Sequence, residues 1–257
     1  TQTIGSIIRP AAYCGCIGFK PTWGAVSCAG AMPLSDILDH VGFLSSDVAT
    51  ARTALAVMAP DIPAAIAAAE EIVLLKPWYD DAVTPEMQHA IAAAVRVLED
   101  AGVHVVEKDV PAWIAQSEED VLTTILSRDM ARHHGDDFDR DGARMTARIR
   151  EYIVRGRTVS DEDYRSAFDF RDRAIDALNA MLDGRAAIMP AALGVAPALA
   201  DGTGSRAPQR LWSLTGCPAM SVPFATADGL PLGVQLVGPP DTDMALIDLA
   251  EILMQAP

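Results

Sequence analysis

The chain has 257 residues, of which 50% are hydrophobic, 21% charged and 5% aromatic, a profile that excludes an intrinsically disordered polypeptide. A formal charge of −15 opposes a general role on nucleic acid or an anionic membrane surface, both of which need a dense Lys/Arg face, and favours a small neutral or cationic partner. No stretch reaches the roughly eighteen unbroken apolar residues of a membrane span, and the first residues lack a basic segment followed by an apolar run, so a cytoplasmic protein is expected.

Residues 1–35 are rich in Gly, Pro, Ser and Ala and read as a functional loop, a short helix and tight turns, with regular structure beginning only afterwards. Within this stretch Ser6 follows Gly5, with the main-chain amides of Thr3, Ile4 and Gly5 just ahead of it. A nucleophile and an oxyanion hole can share such a loop, where one well-aimed N–H donor is worth roughly 3 kcal/mol in the barrier of acyl transfer. A serine alone is a weak nucleophile, so its activating base must come from elsewhere. Cys14, Cys16, Cys28 and Cys217 lack zinc-ligand spacing and read as buried free thiols.

Further along, Asp47 can cap a helix over Ala49–Met58, which Pro60 and Pro63 end. Glu71–Leu75 reads as a buried strand. Thr84 as N-cap and Pro85 at the first helical position then open a long amphipathic helix that Gly102 closes, and Val103–Val106 reads as the next strand. Strand, helix, strand in this order predicts a parallel pair and an α/β fold.

Helical patterns take over from about 111 to 183, with Ser160 and Asp163 opening a helix through Tyr164–Met181. Apolar spacing over 118–131 and 164–182 marks core-facing stripes that could also wall a substrate pocket. Asp137–Gly142 imitates the start of a calcium loop, but its twelfth position is Arg148, a cation where a bidentate glutamate belongs, so a solvated acidic loop is expected. His133 and His134 are adjacent and cannot form the i, i+4 pair of a helical metal site. Strands return at Ala186–Met189, Ala219–Phe224 and Leu232–Val237, the last two joined as a hairpin at Asp228-Gly229. Thr242–Gln255 closes the chain as an amphipathic helix.

Two further candidates sit near Ser6. Asp39-His40 invites a Ser-His-Asp triad, but sequence neighbours seldom adopt that geometry, and a structural hydrogen bond is the better reading of His40. Arg9 could bind an acidic substrate; a buried ion pair that holds the loop is favoured instead. Gly202-Thr203-Gly204-Ser205 is too short for a phosphate cradle, and no cofactor is implied.

Longer motifs carry more. Pro10-Ala11-Ala12-Tyr13-Cys14-Gly15, Gly18-Phe19-Lys20-Pro21-Thr22 and Leu38-Asp39-His40-Val41-Gly42 occur in that order near the start. Ala187-Ile188-Met189-Pro190-Ala191, Ser213-Leu214-Thr215-Gly216-Cys217-Pro218-Ala219-Met220-Ser221-Val222-Pro223 and the run Gly229–Gly238 follow toward the end. Together they resemble the amidase signature family of serine hydrolases, and the likeness spans residues 1–257 as one amidase-type domain, truncated at its N-terminus, with the helical excursion at about 111–183 inside it.

This resemblance implies an α/β fold with a mixed, largely parallel central sheet and helices on both faces. It implies hydrolysis of a linear carboxylic amide to an acid plus ammonia or an amine through an acyl-enzyme, without cofactor or metal. In the family a neutral lysine acts through a serine held by a cis peptide on a second, nucleophilic serine. That second serine aligns with Ser6, and Thr3, Ile4 and Gly5 align with the oxyanion loop. The family's lysine and bridging serine lie upstream of this loop, and Lys20, Lys76 and Lys108 do not stand in the catalytic lysine's context, so these residues alone are expected to show little activity. Ile4 stands where many members carry glycine, which would bring its side chain close to the substrate. A small-molecule amide is the implied partner, and self-association into a homo-oligomer is compatible with the resemblance. Two other readings stay open: a catalytically silent paralogue, or an amidotransferase-type subunit that serves as a binding or assembly partner.

Overall fold

The computed structural model describes residues 1–63, 70–79 and 82–255. Its strands are β1 (Ile17–Lys20), β2 (Phe43–Ser45), β3 (Glu71–Leu75), β4 (His104–Lys108), β5 (Ala187–Pro190), β6 (Ala219–Ala227) and β7 (Leu230–Val237). They form a single sheet in the order β2–β1–β6–β7–β5–β3–β4. The β5–β3–β4 end is parallel, and the pairings from β2 through β1, β6 and β7 to β5 are antiparallel. The sheet is therefore mixed, as expected, but largely antiparallel instead of largely parallel, because only the β3–α3–β4 crossover and the β3–β5 pairing run parallel.

The helices are α1 (Ile8–Cys14), α2 (Val48–Met58), α3 (Pro85–Asp100), α4 (Ala112–Ala115), α5 (Glu118–Asp141), α6 (Ala147–Thr158), α7 (Asp161–Leu182), α8 (Ala207–Leu214) and α9 (Asp243–Met254). Successive strand residues point to opposite faces, and the sheet uses both. Ile72, Ile188, Met220, Val222, Val234 and Leu236 pack against α2, α3 and α9. Val73, Ala187, Met189, Ala219 and Val237 pack on the other face against α1, α4, α7 and α8. A third cluster, away from the sheet, joins α5, α6 and α7 to Ile4, Leu38 and Leu214.

Local chemistry explains the element ends. Asp47 caps α2 by accepting from the Thr50 N–H, Thr84 caps α3 by accepting from Met87, and Ser160 caps α7 by accepting from Asp163. The β6–β7 turn puts Asp228 and Gly229 at φ 52° and 77°, the left-handed pair that a two-residue hairpin requires.

Three local expectations are corrected. Strands β1 and β2 lie in and just beyond the segment expected to hold only loops, turns and a short helix, because their short runs gain strand geometry only by pairing with each other and with β6. The acidic stretch 137–142 is not a loop. Helix α5 continues to Asp141, with Phe138 packed against the third core cluster and Asp137 and Asp139 paired with Arg140 and Arg157. Of the cysteines only Cys217 is buried, while Cys14 is exposed and Cys16 and Cys28 are intermediate.

Candidate active site

Ser6 stands two residues ahead of α1. The Arg9 N–H donates to the Gly5 carbonyl at 3.1 Å, so residues 5–9 already form a helical turn, and Ser6 and Arg9 occupy one face of it. Ser6 is exposed and its hydroxyl has no hydrogen-bond partner among the described residues. The main-chain N–H groups of Thr3, Ile4, Gly5 and Ser6 likewise meet no acceptor among the described residues. Exposed hydroxyl and unused donors thus occur on one short loop.

That loop is held from beneath by Gln2. Its buried side chain accepts from the Ile7 and Ile8 N–H groups at 2.8 and 3.1 Å, and its Nε2 donates to Ser213 Oγ at 3.3 Å. Ser213 in turn donates to the Ile4 carbonyl at 2.7 Å. The Gln2 main chain bridges His40 on both sides, at 2.9 and 2.8 Å. Thr3 is fixed by its hydroxyl, which donates to Asp39 Oδ1 at 2.6 Å. At Gly5 an added Cβ would lie 3.0 Å from Gln209 Oε1, so a side chain there would press on a buried amide of α8. Gln209 donates to the Ala191 carbonyl at 2.6 Å, while its Oε1 is buried without a partner.

The expectation for Ile4 is corrected. Its side chain is 5% exposed and packs with Leu38, Leu122 and Leu214, so it faces the core and leaves only its main chain toward the loop. The Arg9 expectation is corrected too. Its Nη atoms donate to the Gly204 carbonyl and to Thr203 Oγ1, at 2.9 and 3.1 Å, and no carboxylate pairs with it among the described residues. The segment 202–205 supplies neutral acceptors where the ion pair was expected to lie.

Neither member of the Asp39-His40 pair turns to Ser6. The Asp39 carboxylate is taken by Thr3 and by the Leu34 and Ser35 N–H groups. His40 is 3% exposed with Nδ1 at 2.8 Å from the Leu38 carbonyl. Burial, then the nearby Lys20 charge, holds its pKa well below the usual imidazole value, which keeps the ring neutral. Lys20 itself is fully buried in β1, donating to the Cys217 carbonyl at 2.5 Å and to the Pro21 carbonyl at 3.3 Å. Burial pulls its pKa down to about 8 against the opposing pull of Cys217 and Asp243. Lys76 pairs with Glu107 and Lys108 with the Met181 carbonyl, so each lysine is engaged away from Ser6.

A cleft of about 720 Å³ opens beside the loop, lined by Thr1, Thr3, Cys28, Met32, Leu34 and Asp39 among others. Its outer wall is tied to the helical excursion: Ser35 donates to the buried Asp129 of α5 at 2.6 Å, and Tyr164 of α7 donates to the same carboxylate at 2.5 Å. Gln2, Ser213, Gln209 and Asp129 were not singled out from the sequence. A polar residue directly ahead of Thr3 was the single available cue for Gln2; the others acquire a role only through contacts with distant segments.

A serine hydroxyl free on a tight turn, with unused main-chain amides around it and a mixed α/β sheet behind it, is an arrangement suited to a serine hydrolase. The chain belongs to the amidase family, whose model, described as Amidase, matches residues 1–247. It is similar to a glutamyl-tRNA(Gln) amidotransferase subunit from Fusobacterium nucleatum subsp. nucleatum, 26% identical over 302 residues that cover 98% of this chain and 61% of that protein. The corresponding protein from Brucella anthropi is 27% identical, with 100% of this chain and 62% of that protein covered. Among solved structures, an amidase superimposes with a TM-score of 0.88 at 26% identity, covering 97% of this chain and 60% of the other. A substrate complex of 6-aminohexanoate cyclic dimer hydrolase shares the fold with a TM-score of 0.82 at 21% identity, covering 98% and 62%. The chain thus spans less than two thirds of the length of the relatives it matches.

Proposed function

We propose that Ser6 is the nucleophile of an amide hydrolase that releases an acid and ammonia or an amine through an acyl-enzyme. The observation that carries this is the exposed Ser6 hydroxyl beside the unused N–H groups of residues 3–6, on a loop whose sequence resembles the family's nucleophile loop. Ser6 Oγ attacks the amide carbonyl as its proton passes to the relay base, and the carbonyl oxygen becomes an oxyanion on the loop amides. Collapse breaks the C–N bond, the amine leaves with that proton, and water then cleaves the serine ester to the acid.

The relay in this reading is the family's lysine and cis-peptide serine, supplied by sequence outside these residues. Losing the activating base costs several orders of magnitude in such enzymes, so residues 1–257 alone are expected to turn over poorly. A second reading, an amidotransferase-type subunit that passes ammonia to another acceptor, is favoured by the names of the curated relatives. Release of free ammonia by the complete protein on its own separates the two.

The test is labelling by a fluorophosphonate serine probe in the complete protein, with mass spectrometry of the modified peptide. Modification at Ser6, absent in Ser6→Ala, is expected. Modification at another serine refutes the assignment.

A further inference from the structure

Thr3 belongs to two features at once. Its main-chain N–H is one of the unused donors ahead of Ser6, and the residue also lines the cleft of about 720 Å³. A carbonyl held on those donors therefore has the cleft next to it, and a volume of this size is in the range that takes a small-molecule ligand.

The walls contain charge but offer none. Asp39 has both carboxylate oxygens engaged, Oδ1 by the Thr3 hydroxyl at 2.6 Å and Oδ2 by the Leu34 and Ser35 N–H groups at 2.6 and 3.0 Å. Asp36 has both engaged as well, by Arg132 and by His133 Nε2, the latter at 2.9 Å. Ser35 gives its hydroxyl to Asp129. Cys28 donates to the Asp39 carbonyl at 3.5 Å, and burial, then the Asp39 charge, raises its pKa, so the thiol stays neutral. Among the described residues that line the cleft there is no lysine or arginine to receive an anion.

What remains of the wall is residues 29–34, an unbroken run without a polar side chain, in which Met32 is 78% exposed. The run is held in place from α5, through Ser35 to Asp129, Asp36 to Arg132, and His134 Nε2 at 2.6 Å from the Pro33 carbonyl. A wall fixed in advance loses little freedom when a ligand enters, and a long thioether side chain adapts to the shape it meets.

We propose that this cleft receives an uncharged, apolar acyl arm of the amide substrate, a chain of a few carbon atoms lying along Met32 and Leu34 with its carbonyl at the Thr3 end. The acyl side is assigned because that group stays on Ser6 through both chemical steps, whereas the amine departs after the first. The inference rests on Ser6 being the nucleophile, since that fixes which end of the cleft meets the carbonyl.

The test uses the complete protein with acetamide, hexanamide and N-butylacetamide, and two charged analogues of hexanamide: adipamate, ending in a carboxylate, and 6-aminohexanamide, ending in an ammonium. Each fully buried methylene is worth up to about fourfold, so hexanamide is expected to exceed acetamide in kcat/KM by about tenfold or more. Both charged analogues are expected to fall about tenfold or more below hexanamide, because a charge in the cleft meets no free partner. Cys28→Phe, which fills the cleft, and Met32→Ala, which thins its wall at an exposed position, are each expected to lower the hexanamide-to-acetamide ratio through KM. A binding readout is independent of turnover: on Ser6→Ala protein, hexanamide at about ten times its Kd is expected to slow alkylation of Cys28 by N-ethylmaleimide roughly tenfold, with the exposed Cys14 as internal reference.

A hexanamide-to-acetamide ratio near one, a gain with N-butylacetamide in its place, a charged analogue that equals hexanamide, or Cys28 alkylation unmoved by hexanamide overturns the proposal. Serine-probe labelling at Ser6 with Cys28 unprotected refutes the cleft assignment alone. Protection of Cys28 without labelling at Ser6 refutes the nucleophile reading alone. If Cys28→Phe does not fold, Met32→Ala and the alkylation rates decide the question.

Discussion

Gln2 offers the sharpest check on how the loop around Ser6 is held. Gln2→Leu keeps most of the side-chain volume and removes both polar ends, so it leaves the Ile7 and Ile8 N–H groups without the acceptor that now lies at 2.8 and 3.1 Å. The site is 1% exposed, so water cannot readily replace that acceptor. Each orphaned donor costs about 1–3 kcal/mol, and two of them at a central value come to about 4 kcal/mol, a large share of the 5–15 kcal/mol that typical domains have. With about 2–4 °C per kcal/mol for a chain near this size, the melting temperature is expected to fall by about 8–16 °C. The assay is thermal and urea unfolding at constant pH, with amide hydrogen exchange at Ile7 and Ile8 as the local readout. Ser213→Ala removes the bond to Ile4 O and the contact to Gln2, and the double variant is expected to cost less than the sum of the two, because they share one network. A Gln2→Leu protein that melts within about 2 °C of the unaltered one, with those amides still protected, refutes this account of the loop.

Two other outcomes follow from buried polar groups. Tyr164→Phe removes the 2.5 Å donor to Asp129 and is expected to destabilise by about 1–3 kcal/mol; denaturant unfolding that shows no loss rules out a structural role for that bond. Lys20 has a folded-state pKa of about 8 against 10.5 for the free side chain, so between those values the unfolded chain binds the proton and the folded one does not. Stability from this group therefore rises as pH climbs through that window, with a slope approaching one proton, whereas the raised Cys217 pKa acts in the opposite sense. The difference in unfolding free energy between the parent and Lys20→Met, followed from pH 7 to 11, isolates the Lys20 contribution; a flat difference shows that Lys20 keeps its ordinary pKa when folded.

What was legible in the sequence is what local chemistry dictates. Caps at Asp47, Thr84 and Ser160, the Asp228-Gly229 turn and the β3–α3–β4 unit are each set by a few adjacent residues, and each is found where its residues stand. Strands β1 and β2 were not legible, since their few residues become strands only through partners that include β6, some two hundred positions later. The acidic stretch 137–142 misled for a related reason. Its carboxylates suggested a solvated loop, yet the helix is carried through them by Phe138 and by pairing with Arg157, which belongs to another helix.

The loop around Ser6 combines both situations. Gly5 and Ser6 announce themselves by type and adjacency, but the conformation that leaves four N–H groups unused is imposed from a distance, by Ser213 through Gln2 and Ile4, by Asp39 through Thr3, and by His40 through a main-chain bridge. Motifs near residue 10 and near residue 215 are therefore two halves of one support, and a change in the later motif is a change at the Ser6 loop. The same separation explains Arg9. Its neighbour in sequence is the loop around Ser6, but its environment is set by residues 203 and 204, which provide a hydroxyl and a carbonyl oxygen in place of a carboxylate. A buried ion pair was the reasonable reading from residue type alone; the tertiary contacts hold the guanidinium with neutral oxygens instead.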